Sequence, residues 1–130
     1  MTGINDPVAT VQRLFAAFRA GDLDALLDTV HPDSRWTYYG ANPRLASAVF
    51  HGRAEVRRFF EGILRRLEME AFDTDEFVVQ GSTVVIFGGE AGTVRATGQA
   101  FRNVWTQKYV VEGGQIVEMV EYNVQVEPRG

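Results

Sequence analysis

The segment Gln99–Val126, which reads QAFRNVWTQKYVVEGGQIVEMVEYNVQV, decides the fold because it has the pattern of a β-hairpin. Two runs rich in β-branched and aromatic residues flank Glu112-Gly113-Gly114, and a glycine pair between such runs is typical of a tight turn. We therefore predict antiparallel strands over Gln99–Val111 and Gln115–Val126.

The rest of the chain divides near Met69 into a helical half and a strand half. Before Met69, apolar residues recur every three or four positions, and proline and glycine residues mark the ends of helices. After it, the apolar runs are typical of strands. We predict helices from Asp6-Pro7 to Gly21, from Asp22 to Val30 (ended by His31-Pro32-Asp33) and from Gly52 to Leu67. We predict strands over Ser34–Tyr39, Ala46–Phe50, Phe72–Gln80 and Thr83–Glu90. A loop is predicted over Tyr39–Pro43 and a tight turn at Gly81-Ser82.

Helices followed by strands with tight turns predict an α+β domain in which helices cover one face of an antiparallel sheet. The 130 residues leave room for a single domain, 1–130, and the 45% of apolar residues suffice for a core. A net charge of −4 argues against duplex nucleic-acid binding, and the absence of cysteine excludes disulfides and thiolate chemistry. The first residues lack the apolar run of a signal peptide, and no run is long enough to span a bilayer, so we expect a cytoplasmic protein.

Four segments of the chain together resemble a known family: VQRLFAAFRAGDLDALLDTVHPD, RWTYYG, FHGRAEVRRFF and GGQIVEMVEYN. They are similar to the nuclear-transport-factor-2-like (NTF2-like) superfamily, and within it to the SnoaL-like proteins, which are grouped with ketosteroid isomerases, polyketide cyclases and limonene epoxide hydrolases. The resemblance implies a cone-shaped fold with three N-terminal helices packed on a curved antiparallel sheet. It also implies a pocket for a small, mostly apolar ligand, and a homodimer.

When the family's functional residues are matched to this sequence, the resemblance does not imply some of the family's activities for this chain. Ketosteroid isomerases have a tyrosine and two aspartates where this chain has Leu14, Tyr38 and Gln107, so steroid isomerisation by that mechanism is not implied. Limonene epoxide hydrolases use an Asp–Arg–Asp set. Their second aspartate matches Glu121 and their first falls near Glu90, but their arginine falls near Gly88 and is absent.

The last predicted strand has two faces, and the sequence alone leaves open whether Glu121 or Glu118 points into the pocket. Periodicity favours as the core face the more apolar set, Ile116, Glu118, Val120, Tyr122 and Val124. The resemblance implies the reverse, with Val117, Met119, Glu121 and Asn123 lining the pocket. We adopt the second arrangement, because an apolar outer face is explained by a homodimer through Val120, Tyr122 and Val124.

The candidate catalytic residues are therefore Glu121 and Glu90, because burial in an aromatic pocket raises the pKa of a carboxyl group towards the range useful for proton transfer. The alternative is that both are ordinary strand carboxylates, in solvent or paired with Arg95 or Arg102. Trp36, Tyr38, Trp105, Gln107 and Asn123 together combine stacking area with hydrogen-bonding groups, and Phe18 and Met119 are core residues that also touch the cavity; core packing is an alternative for each of the candidate ligand-binding residues.

Other motifs do not predict a site. His31 and His51 lack partners at metal-ligand spacing, so we predict no metal and no cofactor. The glycines of Gly88–Gly92 interrupt a strand, which favours a β-bulge over a phosphate-binding loop.

The leading hypothesis is a cofactor-independent SnoaL-like enzyme that performs isomerase or cyclase-type proton transfer on a small hydrophobic carbonyl, polyketide-like or terpenoid compound. In this hypothesis Tyr38, Trp105, Gln107 and Asn123 position the substrate. The main alternative is a non-catalytic domain that binds a small molecule or serves dimerisation. A third is a limonene-epoxide-hydrolase-like enzyme without the arginine.

Overall fold

The structure is a computed structural model, and it describes residues 6–40 and 48–126. In this part of the chain, helices pack against one face of a six-stranded sheet. The elements in chain order are α1 (Pro7–Ala20), α2 (Leu23–Leu27), β1 (Val30–Gly40), β2 (Ala48–His51), α3 (Gly52–Arg66), β3 (Leu67–Gln80), β4 (Thr83–Val94), β5 (Ala100–Glu112) and β6 (Gln115–Val126).

The sheet has the strand order β2-β1-β6-β5-β4-β3, and it contains one exception to the predicted antiparallel arrangement. Strand β1 pairs with β6 in parallel, whereas the other neighbouring strands are antiparallel. The exception arises because β2 and α3 carry the chain from β1 to the far edge of the sheet. From β3 the chain then returns through β4 and β5, and β6 reaches β1 running in the same direction as β1.

The N-terminal helices begin and end where the sequence indicates, with one difference. Asp6 accepts a hydrogen bond from the Val8 amide (3.0 Å), and Gly21 ends α1 in the left-handed conformation (φ 68°). Asp22 caps α2 through the Ala25 amide (3.1 Å), but α2 ends at Leu27. His31-Pro32-Asp33 belongs to β1, because a residue before proline favours extended backbone.

The loop predicted over Tyr39–Pro43 is only partly described: Tyr39 and Gly40 belong to β1, and Ala41–Pro43 lie outside the described residues. The same holds for the predicted strand Ala46–Phe50, because its first two residues are not described and β2 is seen from Ala48.

Strands β3 and β4 are longer than predicted, because the glycines of Gly88–Gly92 lie inside β4 rather than at its end. The predicted bulge lies on the partner strand. Glu70 and Asp75 are the extra residues of β3, opposite β4. Each insertion shifts the alternation by one residue.

A third irregularity corrects the predicted orientation of Ile116. The register of β5 and β6 shifts between Val110 and Val111, which makes Val117 the extra residue of β6. Ile116 is consequently buried in the core together with Met119, although strict alternation predicted it on the outer face. Beyond Val117 the alternation is regular.

The core between the helices and the inner face of the sheet is rich in aromatic rings. Phe15 and Phe18 of α1 contact Phe72 of β3, with ring centroids 5.5 and 5.1 Å apart. Phe60 of α3 meets Trp36 of β1 edge-on at 5.5 Å. None of the helices within residues 6–40 and 48–126 has both the length and the apolar character needed to cross a membrane.

Candidate functional site

A small cavity of about 40 Å³ lies between α1, α3 and the inner face of the sheet. Its wall is mostly aromatic and aliphatic, and its polar side chains come from neighbouring strands. The lining residues are Leu14, Phe15, Phe18, Trp36, Tyr38, Phe59, Phe60, Ile63, Leu67, Met69, Phe72, Glu90, Gln107, Tyr109, Met119, Glu121 and Asn123.

Glu121 of β6 points into this cavity and is only 5% exposed. Its two oxygens accept hydrogen bonds from the Gln107 Nε2 (3.0 Å) and the Asn123 Nδ2 (2.9 Å). Burial, together with the nearby charge of Glu90, raises the pKa of Glu121 to about 7, although the two amide donors oppose the rise. Both protonation states of Glu121 are therefore accessible near neutral pH.

Glu90 of β4 is the second carboxyl group of the cavity. Its Oε2 accepts hydrogen bonds from the Asn103 Nδ2 (2.8 Å) and the Asn123 Nδ2 (3.3 Å). Burial raises the pKa of Glu90 above its usual value, and the two amides act in the opposite direction. The amide nitrogen of Asn123 thus bridges the two carboxyl groups, which titrate as a coupled pair.

Among the described residues of the cavity wall, two buried polar atoms have no hydrogen-bond partner: the Tyr38 hydroxyl and the Asn123 Oδ1. Tyr38 is 3% exposed and Asn123 is 5% exposed, so bulk water does not satisfy these atoms. Burial and the two glutamates raise the pKa of Tyr38, which keeps its hydroxyl protonated. An unpaired buried polar group is costly, and this pair is therefore available to a ligand.

The structure brings most of the predicted site residues together. Phe18, Trp36, Tyr38, Gln107, Met119 and Asn123 line the cavity with Glu90 and Glu121. Glu118, the alternative to Glu121, points to the other face of β6 and forms an ion pair with Lys108 (2.8 Å). The strand therefore has the orientation that the resemblance implied.

Trp105 is the exception among the predicted ligand-binding residues, because it does not line the cavity. Its ring stacks on Phe72 (5.2 Å, 21°) and lies over Gly88, where a side chain would overlap the indole. The glycine thus lets the indole lie across β4, beneath Phe72, and out of the cavity wall.

Two polar residues of the site were not predicted. Asn103 holds Glu90, and the Tyr109 hydroxyl donates a hydrogen bond to the Gln107 Oε1 (2.7 Å), which fixes the amide that holds Glu121. Both lie on the same face of β5 as Gln107, so strand alternation was the signal that could have identified them.

A wider groove of about 570 Å³ adjoins the cavity between the C-terminal ends of α1 and α3 and strand β3. The cavity and the groove share Phe18, Ile63, Leu67, Met69 and Phe72 as wall residues. These five apolar side chains therefore separate the buried carboxyl groups from the groove.

The arrangement suits acid–base chemistry more than metal binding. Within the described ranges, no group of three or more histidine and acidic side chains is placed to hold a metal ion. Two coupled carboxyl groups, amides that orient them and a free tyrosine hydroxyl can move a proton and stabilise negative charge on an oxygen.

Comparisons with known proteins agree with the fold. The chain is similar to an NTF2-like protein from Burkholderia xenovorans LB400, with 28% identity over 90% of this chain and 88% of the other and a TM-score of 0.80. It is also similar to an NTF2-like protein of unknown function from Burkholderia pseudomallei K96243 (27% identity, 93% and 91% coverage, TM-score 0.80).

A protein from Mesorhizobium loti, proposed to be a SnoaL-like polyketide cyclase, shares the fold at 20% identity, with coverage of 88% of this chain and 97% of the other and a TM-score of 0.67. No match to a curated protein is found. The sequence model of the SnoaL-like domain matches residues 11–119, most of the chain. The chain therefore belongs to the SnoaL-like domain family of the NTF2-like fold.

Proposed function

We propose that this protein is a cofactor-independent enzyme that transfers a proton in a small hydrophobic carbonyl compound, as an isomerase or a cyclase does. The observation that carries the proposal is the buried Glu90–Asn123–Glu121 arrangement beside the unpartnered Tyr38 hydroxyl. Proton abstraction from carbon needs a base near neutral pKa and a donor for the developing oxyanion, and these residues would supply both.

In the proposed reaction, the ionised carboxylate of Glu121 removes a proton from the carbon next to the carbonyl group. The electron pair moves onto the carbonyl oxygen, which receives a hydrogen bond from the Tyr38 hydroxyl. Glu121 then returns the proton to the same or a conjugated carbon, so the reaction is redox-neutral. Gln107 and Asn123 orient Glu121, and the second carboxyl group, Glu90, raises its basicity.

The volume of the cavity limits what reacts there. About 40 Å³ holds roughly three water-sized groups, so only the reacting part of a polyketide-like or terpenoid molecule fits. The remainder would lie in the adjoining groove of about 570 Å³, behind Phe18 and Phe72.

Exchange of α-protons in small ketones tests this proposal without knowledge of the natural substrate. The protein is incubated with acetone or butanone in D₂O near pD 7, and deuterium incorporation is followed by NMR. We expect catalysed exchange that Glu121→Gln lowers by about 100-fold or more, because the general base is lost. Glu118→Gln, on the outer face of the same strand, should exchange as the unmodified protein does. Equal exchange rates for Glu121→Gln and the unmodified protein would contradict the assignment.

The second candidate is a non-catalytic domain that binds a small molecule. It is favoured by the small volume of the cavity, which is largely filled by the protein's own aromatic rings. It predicts binding of small ligands without any deuterium exchange. Epoxide hydrolysis is less favoured, because the family's arginine falls near Gly88 and no basic side chain is found among the described residues that line the cavity.

We also propose that the protein is a homodimer through the outer face of the sheet. Tyr122 and Val124 are 56% and 54% exposed, and Val104 lies beside Val124 in the sheet. Tyr39 stacks on Tyr122 (5.2 Å, 18°), which extends the apolar surface onto β1. An apolar face of this extent is explained by a second copy of the chain.

A further inference from the structure

The hydrogen-bonding capacity left unused in the cavity is mainly that of acceptors. The side-chain amide donors of Gln107, Asn103 and Asn123 are already directed at the two glutamates. The atoms without a partner are the Asn123 Oδ1 and the Tyr38 hydroxyl, which can donate or accept, and the carboxyl oxygens keep further lone pairs. On the donor side, the amides of Gln107 and Asn103 each have one further N–H. A ligand that presents several donors would satisfy these atoms better than one that presents only acceptors.

The charges around the cavity also favour a cation. The titratable side chains that line it are Tyr38 of β1, Glu90 of β4, Tyr109 of β5 and Glu121 of β6. The lining residues of α1 and α3 are apolar, and within residues 6–40 and 48–126 no lysine, arginine or histidine lines the cavity. The two carboxyl groups lost their contact with water when the chain folded. Binding of a cation therefore does not have to desolvate them again, because that free-energy cost is already part of folding.

The rest of the wall is suited to the alkyl part of such a ligand. Phe15, Phe18, Phe59, Phe60 and Trp36 surround the polar groups, and aromatic rings attract alkylammonium groups as well as alkyl groups. The volume of about 40 Å³ admits about three or four non-hydrogen atoms. The dimensions therefore correspond to a small primary alkylammonium ion or to the head group of a longer amine.

We propose that this cavity binds small protonated amines, with the ammonium group between Glu90, Glu121 and the Asn123 Oδ1. This binding goes beyond the proposed proton transfer and does not depend on it, because it requires only the charges and acceptors of the cavity. An amine occupies the space of the reacting carbonyl group, so it also competes with a carbonyl ligand.

Binding of the amine is coupled to loss of a proton from the carboxyl pair. The ammonium ion stabilises both carboxylates, so the proton that Glu121 retains near neutral pH leaves to solvent when the amine binds. The balance is one ammonium ion bound and up to one proton released. Affinity for the amine therefore rises as the pH increases from 6 to 8, where the alkylammonium ion remains charged.

Isothermal titration calorimetry with isopropylammonium and isopropanol tests the proposal. The two probes have the same shape and differ in charge and number of donors. We expect isopropylammonium to bind at least 10-fold more tightly than isopropanol at pH 7.5. At pH 6.5, titrations in buffers with different ionisation enthalpies should reveal proton release. Equal affinities of the two probes, or isopropylammonium binding without proton release at pH 6.5, would overturn the proposal.

Variants locate the bound amine. Glu121→Gln and Glu90→Gln should each lower the affinity for isopropylammonium at least 10-fold, with folding checked by circular dichroism. Glu118→Gln is the matched control and should bind as the unmodified protein does. The ketone exchange experiment is separate: exchange without amine binding would overturn only this inference, and amine binding without exchange would overturn only the proposed reaction.

Discussion

At the scale of single residues, the site depends on the different environments of Glu118 and Glu121, three positions apart on β6. Glu118 pairs with Lys108 on the outer face, whereas Glu121 accepts hydrogen bonds from two amides and lies near another carboxyl group on the inner face. Residue type and local sequence do not distinguish these environments, because both glutamates lie in a strand of mixed apolar and polar residues. The orientation of β6 relative to the helices decides that Glu118 has a structural role and that Glu121 is a candidate catalytic residue.

The protonation of Glu121 predicts a pH dependence of stability. Its pKa is raised from 4.5 to about 7 by burial and by Glu90, so the folded protein retains a proton that the unfolded chain releases. This contribution is fully present below pH 4.5 and is lost as the pH rises through 7. We expect the free energy of unfolding, measured by urea denaturation, to fall by roughly 3 kcal/mol between pH 4.5 and pH 8.

The Glu121→Gln variant should show a flatter profile over the same range, because the amide does not titrate. A residual slope of the same sign remains from Glu90, whose pKa is also raised by burial. Glu118→Gln serves as the control and should keep the slope of the unmodified protein. A steep profile in Glu121→Gln would show that another group is responsible.

At the scale of secondary-structure elements, the strands fit together through extra residues and glycines rather than through strict alternation. Glu70 and Asp75 shift β3 so that Met69, Phe72 and Phe77 all reach the inner face. The sequence predicted an irregularity near Gly88–Gly92 but could not place it, because a bulge depends on the register between two strands. Neither strand alone specifies that register.

Replacement of Gly88 should destabilise the protein, because neighbouring strands leave no room for a side chain there. A β-carbon there would overlap the carbonyl oxygen of Asp73 and the indole of Trp105, both of which are held by neighbouring strands. We expect Gly88→Ala to lower the free energy of unfolding by about 1–3 kcal/mol, because either the strands or the indole must move. Gly62→Ala in α3 is the control, because a β-carbon at Gly62 has no neighbour within 4 Å.

The control should be neutral or stabilise the protein by about 0.5–1 kcal/mol, since alanine favours helix more than glycine does. Both variants are measured by urea denaturation at one pH. Equal stabilities of Gly88→Ala and the unmodified protein would show that β4 has room at this position, contrary to the structure.

At the scale of the whole molecule, the order of helices and strands and the positions of the turns could be predicted from the sequence, because each depends on local patterns. The parallel pairing of β1 with β6 could not, because it joins segments about 80 residues apart. The position of Trp105 could not be predicted either, because it is determined by Gly88 and Phe72, which lie on two other strands. For the site, strand alternation with the family resemblance predicted the polar lining residues except Tyr109 but few of the apolar ones, and the position of Asn123 between two glutamates became evident only from the structure.

The outer face of the sheet predicts the oligomeric state. We expect light scattering after size-exclusion chromatography to give the mass of two chains, and Tyr122→Glu with Val124→Glu to give the mass of one, because buried charges would oppose association. Val79→Glu is the control, because Val79 is 48% exposed but lies on β3 at the far edge of the sheet. A mass of one chain for the unmodified protein would rule out the dimer.

The position of β6 has a consequence for biosynthesis. Although β6 is the last strand of the described residues, it lies near the centre of the sheet, between β1 and β5. Strand β1 leaves the ribosome long before β6 exists, so the edge of β1 that pairs with β6 stays unpaired while most of the remaining sequence is translated. Pairing between such distant segments is slow, because a long loop closes before any contact forms. We therefore expect folding to finish only after β6 has been synthesised, and nascent chains that stop before β6 to be captured by chaperones.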